Sequence, residues 1–154
     1  MKKLLFLISS LGSGGAERQM VTIASFLKER EYEIKFLCYR HDDFYKGILD
    51  ANNIPVIEIT CNNPLGRALQ LRSVVRRFNP DVVISMLKMP NFYALITSLF
   101  SKKRKVITGL RGVPTFPLGK FEVVANLQFR ADYIVSNSEN AMKIWLQSFP
   151  RHKK

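Results

Sequence analysis

Short apolar runs alternate with helix-period segments along the whole chain, and this alternation constrains the fold more than any other feature. The runs are rich in β-branched residues and nearly continuous in apolar character, as expected of strands covered on both faces. Strands are predicted at Lys3–Ser9, Glu33–Cys38, Pro55–Thr60, Asp81–Met86, Lys105–Leu110 and Asp132–Ser136. Helices are predicted at Glu17–Arg30, Phe44–Asn52, Gly66–Phe78, Asn91–Phe100, Leu118–Arg130 and Glu139–Phe149.

This order predicts a single α/β domain, a doubly wound and mostly parallel Rossmann-like sheet of about six strands with helices on both faces. A chain of 154 residues with 47% apolar residues suits one core. Turn residues such as Asn79-Pro80 and Gly112-Val-Pro-Thr115 stand between predicted elements. In such a sheet, ligands bind beyond the carboxyl ends of the strands. The loops that follow the strands are therefore where a site is expected.

The first of these loops is a glycine-rich turn, Gly12-Ser-Gly14-Gly15-Ala-Glu17. It follows the first strand and opens the first helix, where free N–H groups and the helix dipole favour phosphate. The turn lacks the third glycine of a dinucleotide fingerprint, having Glu17 there, and no Gly-Lys-Ser/Thr of a P-loop follows. Gly12, Gly14 and Gly15 are candidate substrate-binding residues, with a plain tight turn as the alternative.

Three segments resemble one known family. GSGGAER followed by an apolar helix, PDVVISMLKMPNFYALI at the fourth strand, and SNSE after the last strand resemble the N-terminal domain of the retaining GT-B glycosyltransferases of group 1, also called family 4. The resemblance covers the whole chain. It implies transfer of a sugar from a nucleotide-diphosphate sugar to an acceptor hydroxyl, on a glycan, a lipid-linked molecule or a polysaccharide precursor. The glycine turn would lie against the diphosphate.

The resemblance also assigns a catalytic residue. Many members carry a histidine just after the fifth strand, whereas KVITGLRGVP places Arg111 there. A guanidinium is always charged and suits a departing or acceptor phosphate, so Arg111 would act by electrostatic stabilisation and not as a base. An arginine on a solvated loop is the alternative.

Three further polar residues follow strands. Lys88 and Asn91 could donate hydrogen bonds to a sugar or phosphate, although Asn91 could equally cap a helix. Ser136 could contact the same cleft. The spacing of Ser136 and Glu139 also predicts a capping box, in which each side chain satisfies a backbone donor near the other.

A GT-B enzyme has two Rossmann-like halves, of which the N-terminal half mainly holds acceptor. The other half grips the donor, usually through an E-x7-E segment that this sequence lacks. We therefore predict that residues 1–154 form an acceptor-side domain whose C-terminal donor-binding domain is absent, and that it is inactive alone. No cofactor is expected, because the nucleotide sugar is a co-substrate.

No metal site is predicted either. The sequence contains no DxD motif, and His41 and His152 are far from metal-ligand spacing. Cys38 and Cys61 form no CxxC pair and are read as free thiols in a reducing compartment.

The charge is strongly basic, with 24 basic and 12 acidic residues and a net charge of +12. The run Lys102-Lys-Arg-Lys105 beside apolar Leu95–Phe100 predicts contact with an anionic membrane surface. No nucleic-acid partner is expected, because no recognition motif accompanies the basic runs. The apolar stretch after Met1 is short for a signal peptide and leads into a patterned helix, so we expect a cytoplasmic protein, peripheral on the inner face of the membrane.

Two alternatives stand beside this interpretation. Cys38-Tyr-Arg40 ends the second strand where dinucleotide-binding domains place an acidic residue, and Arg40 could bind the 2′-phosphate of NADP. The other alternative is a non-enzymatic membrane or nucleic-acid adaptor, which depends on charge alone.

Overall fold

The computed structural model describes residues 1–99, 103–111 and 130–148, and within them six strands form one parallel sheet in the order β3-β2-β1-β4-β5-β6. The strands are β1 (Lys3–Leu7), β2 (Glu33–Cys38), β3 (Val56–Glu58), β4 (Val82–Met86), β5 (Lys105–Leu110) and β6 (Tyr133–Ser136). The described helices are α1 (Gly15–Lys28), α2 (Lys46–Ala51), α3 (Pro64–Phe78), α4 (Lys88–Ser98) and α5 (Glu139–Ser148). The predicted doubly wound fold is confirmed. The predicted helix Leu118–Arg130, apart from Arg130 itself, and the turn after Gly112 lie outside the described residues.

The central strand β1 shows why its apolar run is continuous. Leu4 and Phe6 point into the core layer that contains α1, and Phe6 stacks on Phe36 of β2 with ring centroids 5.1 Å apart. Leu5 and Leu7 point into the opposite layer, which contains α3 and α4. Alternate side chains of a strand face opposite sides of the sheet, so a strand buried on both faces needs an apolar residue at every position.

The helices begin and end at recognisable capping residues. Asn63 accepts a 2.6 Å hydrogen bond from the Gly66 N–H and is followed by Pro64 at the first helical position, so α3 has a strong N-terminus. Its C-cap, Asn79, has the left-handed conformation with φ 50°. Helix α4 begins at Lys88, three residues earlier than predicted, because proline at position 90 is accepted in a first turn that needs no N–H from it.

The capping box predicted for Ser136 and Glu139 is wrong. Ser138 stands directly before α5, and its Oγ accepts a hydrogen bond from the Ala141 N–H at 3.3 Å. The Ser136 hydroxyl instead exchanges hydrogen bonds with the Ser138 backbone, at 3.0 and 3.2 Å. Since β6 continues to Ser136, that residue lies too early in the chain to cap the helix.

Two residues of the basic run Lys102–Lys105, Arg104 and Lys105, are engaged by other parts of the fold. Arg104 is only 6% exposed and donates to the backbone oxygens of Pro80 and Thr97, at 3.2 and 2.9 Å. Burial lowers the pKa of this guanidinium. Lys105 pairs with Asp132 at 2.7 Å, and Lys102 lies outside the described residues. Within the described part of the chain, no helix has the length and hydropathy needed to span a membrane.

Candidate functional site

The sheet changes winding direction between β1 and β4, because the chain moves outward to β2 and β3 on one side and to β5 and β6 on the other. Such a switch point leaves a crevice at the carboxyl ends of the strands, where α/β proteins bind ligands. The glycine turn follows β1, and Leu87 and Lys88 follow β4. Arg111 and Ser136 lie at the ends of the next two strands, in neighbouring register.

Arg111 contacts the glycine turn directly. Its Nη2 donates to the carbonyl oxygen of Gly15 at 3.3 Å, across 96 residues of sequence. The same nitrogen contacts Gln19 Oε1, one turn further along α1, and lies 3.5 Å from Met86 Sδ. The structure therefore brings together two features that sequence reasoning had selected separately, and adds Gln19 and Met86, which carried no sequence signal.

Two carboxylates fill the space beside the glycines. Gly14 has φ −72°, a backbone conformation open to any residue, so the backbone itself does not require glycine there. A Cβ there would meet the carboxylate of Glu17, and a Cβ on Gly12 would lie 2.5 Å from Asp42 Oδ2. Gly15 has open space around the same position. Of the three glycines, Gly15 is therefore the one with open space where a side chain would stand, so a ligand can approach its backbone from that side.

The start of α1 can receive an anion. The first helical hydrogen bond runs from the Arg18 N–H to Gly14 O at 3.0 Å. The N–H groups of the three preceding residues have no partner within the helix and point outward at its positive end. The Arg111 guanidinium beside them adds a full positive charge. Glu17 lies in this first turn, as predicted, and is buried. Its carboxylate offsets part of this positive charge.

Asn91 lies beneath the site and not on its surface. It is 1% exposed, its Oδ1 accepts a 2.8 Å hydrogen bond from Ser85 Oγ, and its Nδ2 donates to Gly109 O at 2.9 Å. The amide thus joins the ends of β4 and β5, two residues before Arg111. Lys88 is exposed at the first position of α4.

The connection from β4 to α4 is strained. Leu87 has φ 77° and ψ 154°, a combination that is almost confined to glycine. Its side chain is half-buried against the core layer of α1. Such strain costs about 1–3 kcal/mol and occurs most often at binding and catalytic sites.

A second polar cluster lies beyond β2 and β3. Nitrogen and oxygen atoms of His41, Asp43 and Glu58 lie within 4.8 Å of one another, a proximity that the spacing of His41 in the sequence did not indicate. All three side chains are exposed, and Lys46 also pairs with Asp43 at 3.7 Å. Nearby, burial and then the charges of Glu58 and other carboxylates raise the pKa of the Cys38 thiol to about 12, as befits an unreactive buried cysteine.

Comparison with known proteins identifies the family. The family model for Glycosyltransferase Family 4 matches residues 13–154, which is nearly the whole chain and includes both Gly15 and Arg111. The chain belongs to Glycosyltransferase Family 4. It is a Rossmann-like N-terminal domain of the GT-B type, as the resemblance had implied, and the NADP-binding and adaptor alternatives are not favoured.

Three individual proteins are similar to this chain. An N-acetylgalactosamine-N,N'-diacetylbacillosaminyl-diphospho-undecaprenol 4-alpha-N-acetylgalactosaminyltransferase of Campylobacter jejuni is 26% identical over 97% of this chain and 45% of its own length. The crystal structure of Anabaena HepE with UDP-glucose superimposes with a TM-score of 0.81, 23% identity and coverage of 99% of this chain and 42% of that one. MurG of Acinetobacter baumannii gives a TM-score of 0.66 at 14% identity, covering 91% and 43%. The chain spans less than half the length of these relatives.

Proposed function

We propose that this family 4 domain is the acceptor-side half of a retaining glycosyltransferase, which moves a sugar from a nucleotide-diphosphate sugar to an acceptor hydroxyl. The observation that carries the proposal is the contact between Arg111 and the start of α1 at the switch point of the sheet. Helix N–H groups and a guanidinium form a surface suited to a phosphate. Arg111 stabilises negative charge on that phosphate, and Gly15 lets it approach the backbone.

The remaining site residues divide by their surroundings. Lys88, exposed at the start of α4, and Ser136, at the end of β6, are proposed to contact sugar or phosphate. Asn91 already uses both of its amide atoms inside the protein, so we assign it to holding the ends of β4 and β5. Gly12 and Gly14 are proposed to shape the turn, since carboxylates occupy the space beside them.

The acceptor is proposed to be lipid-linked. The Campylobacter relative is named for transfer to a diphospho-undecaprenol-linked sugar, and the present chain is strongly basic, which suits an anionic surface. The protein would then be cytoplasmic and peripheral on the inner face of the membrane. A second Rossmann-like half is proposed to hold most of the donor, with no cofactor, so the 154-residue chain alone should not transfer sugar.

Isothermal titration calorimetry separates this proposal from its main alternative. We expect the chain to bind UDP-glucose weakly, and Arg111→Ala to weaken that binding at least tenfold, about 1.4 kcal/mol. Arg40→Ala is the matched control, because Arg40 is an exposed arginine at the end of β2. It should leave UDP-glucose binding unchanged. Tight NADP binding that Arg40→Ala abolishes would overturn the proposal.

Turnover tests the role of Arg111 in a polypeptide that contains both halves. Arg111→Ala should lower kcat well beyond tenfold, a change of about 1.4 kcal/mol or more in the activation free energy. Arg111→Lys should recover little of it, because lysine lacks the forked geometry of the guanidinium. A wild-type rate in the alanine variant would make Arg111 an ordinary surface arginine.

A further inference from the structure

The solvent-facing side of α3 combines exposed leucines with arginines. Over Pro64–Phe78 the helix carries four arginines and no Asp or Glu. Leu65 is 72% exposed and Leu69 is 57% exposed, so two large apolar side chains stand on a purely cationic helix. A helix that lies in a membrane interface has this combination of apolar and cationic side chains.

These side chains form a continuous stripe. Leu65, Leu69, Arg72 and Arg76 recur at helical spacing, and at 100° per residue they fall within an arc of about 60°. All four are exposed. We name this set the α3 stripe. The opposite side of the helix packs into the core through its buried apolar residues, Leu71, Val74, Val75 and Phe78.

Arg76 of the stripe and its neighbour Arg77 are both exposed. Arg67, by contrast, is held inside the fold: its Nε donates to Cys61 O at 2.9 Å and its guanidinium lies 4.9 Å from the centre of the Tyr39 ring. Among the described residues, the ion pairs involve neither Arg76 nor Arg77. An anionic partner would therefore meet the guanidinium groups of Arg76 and Arg77, which form no ion pair within the described part of the chain.

Helix α3 lies near the candidate site, and its stripe is separate from the residues that hold the helix in place. It follows β3, so its first turn, with Leu65, lies at the carboxyl edge of the sheet, the edge that holds Arg111. Its caps at Asn63 and Asn79 lie outside the stripe, and its core residues are on the other face. Substitutions in the stripe should therefore change the surface without unfolding the helix.

We propose that the α3 stripe seats the protein on an anionic phospholipid surface, with Leu65 and Leu69 entering the interface and the arginines meeting lipid phosphates. A nucleic acid would match the charge but would leave both leucines in water, whereas an anionic bilayer accommodates both kinds of side chain. The inference moves the membrane contact from the predicted 95–105 region to α3. It does not depend on the proposed sugar transfer, because lipid binding needs no nucleotide.

Vesicle flotation with the 154-residue chain tests this surface. Vesicles of phosphatidylglycerol and phosphatidylcholine should carry the protein at low salt, and pure phosphatidylcholine vesicles should not. Leu65→Gln with Leu69→Gln should weaken binding about tenfold or more, and Arg72→Gln with Arg76→Gln should weaken it and flatten its salt dependence. Circular dichroism of each variant should match the wild type.

Matched controls change similar side chains elsewhere. Phe44→Gln with Ile48→Gln alters an exposed apolar pair near α2, and Lys2→Gln with Lys28→Gln removes two charges, so both should bind vesicles as the wild type does. Equal losses in controls and stripe variants would overturn the proposal. So would a loss confined to the arginine variant together with equal binding to a short RNA, which would indicate a general polyanion surface. A dimer in light scattering that the leucine variant dissolves would instead make the stripe a contact between two copies.

Discussion

The buried hydrogen bonds of Asn91 predict a large loss of stability on a substitution that nearly preserves volume, Asn91→Leu. Ser85 Oγ is fully buried and would lose its acceptor, and Gly109 O would lose a donor. A buried polar group left without a partner costs about 1–3 kcal/mol. Two such groups cost about 2–6 kcal/mol, and the added apolar burial offsets roughly 1 kcal/mol, so the net loss is about 1–5 kcal/mol.

Urea unfolding followed by fluorescence measures this loss. Trp145 is the single tryptophan of the chain and lies buried beside Leu110, so its emission reports the packing of α5 on β5. With a denaturant slope of about 2 kcal/mol per molar, the middle of the usual range, the midpoint should fall by roughly 0.5–2.5 M. Asn140→Leu is the matched control, because Asn140 is an exposed amide in the first turn of α5, and it should change stability by less than about 0.5 kcal/mol.

A double-mutant cycle isolates the Ser85–Asn91 hydrogen bond. Ser85→Ala removes the hydroxyl that Asn91→Leu would strand, so the double variant should be about 1–2 kcal/mol more stable than the sum of the two single losses predicts. Additivity within 0.5 kcal/mol, or an Asn91→Leu protein as stable as the wild type, would refute the reasoning. The latter result would return Asn91 to the group of candidate ligand residues.

Three other predictions use the same unfolding assay. Leu87→Gly should be more stable than Leu87→Ala by about 1–2 kcal/mol, because the backbone conformation at position 87 suits glycine. This is the reverse of the usual order of the two residues. The usual order would mean that the backbone at position 87 is not strained. Gly15→Ala should exceed Gly14→Ala in stability by about 1 kcal/mol, since only the second Cβ meets the Glu17 carboxylate, and equal stabilities would disprove that contact. Burial would raise the pKa of Asp132, but hydrogen bonds from Lys105 and the Val106 N–H hold it below the ordinary value. This stabilisation is therefore present above pH ~4 and lost as the pH falls below it, so the difference between wild type and Asp132→Asn should shrink between pH 6 and pH 3; a constant difference would contradict the assignment.

Much of the fold could be predicted because the strands of a parallel sheet covered on both faces have apolar residues at nearly every position. All six strands were found where such runs occur, as with Lys3–Leu7. The start of α4 was predicted three residues late, at Asn91, whereas the helix begins at Lys88 and accepts a proline in its first turn.

The details of the site were harder to predict. Arg111 and the glycine turn could each be selected from their place after a strand, but their contact depends on which strands are neighbours and on side-chain reach to Gln19. Buried polar residues such as Ser85 and Asn91 have no periodic signal that separates them from loop residues. Backbone strain at Leu87 leaves no trace in the residue type at all.

Arg104 has a consequence for any experiment that treats adjacent cations as equivalent. Its guanidinium closes the end of α4 onto the start of β4 through two carbonyl oxygens, and its neighbour Lys105 is occupied by Asp132. Neutralising all four residues of the 102–105 run would thus remove the buried hydrogen bonds of Arg104 along with the surface charge. Any change in the behaviour of such a variant would then report loosened packing as well as lost surface charge.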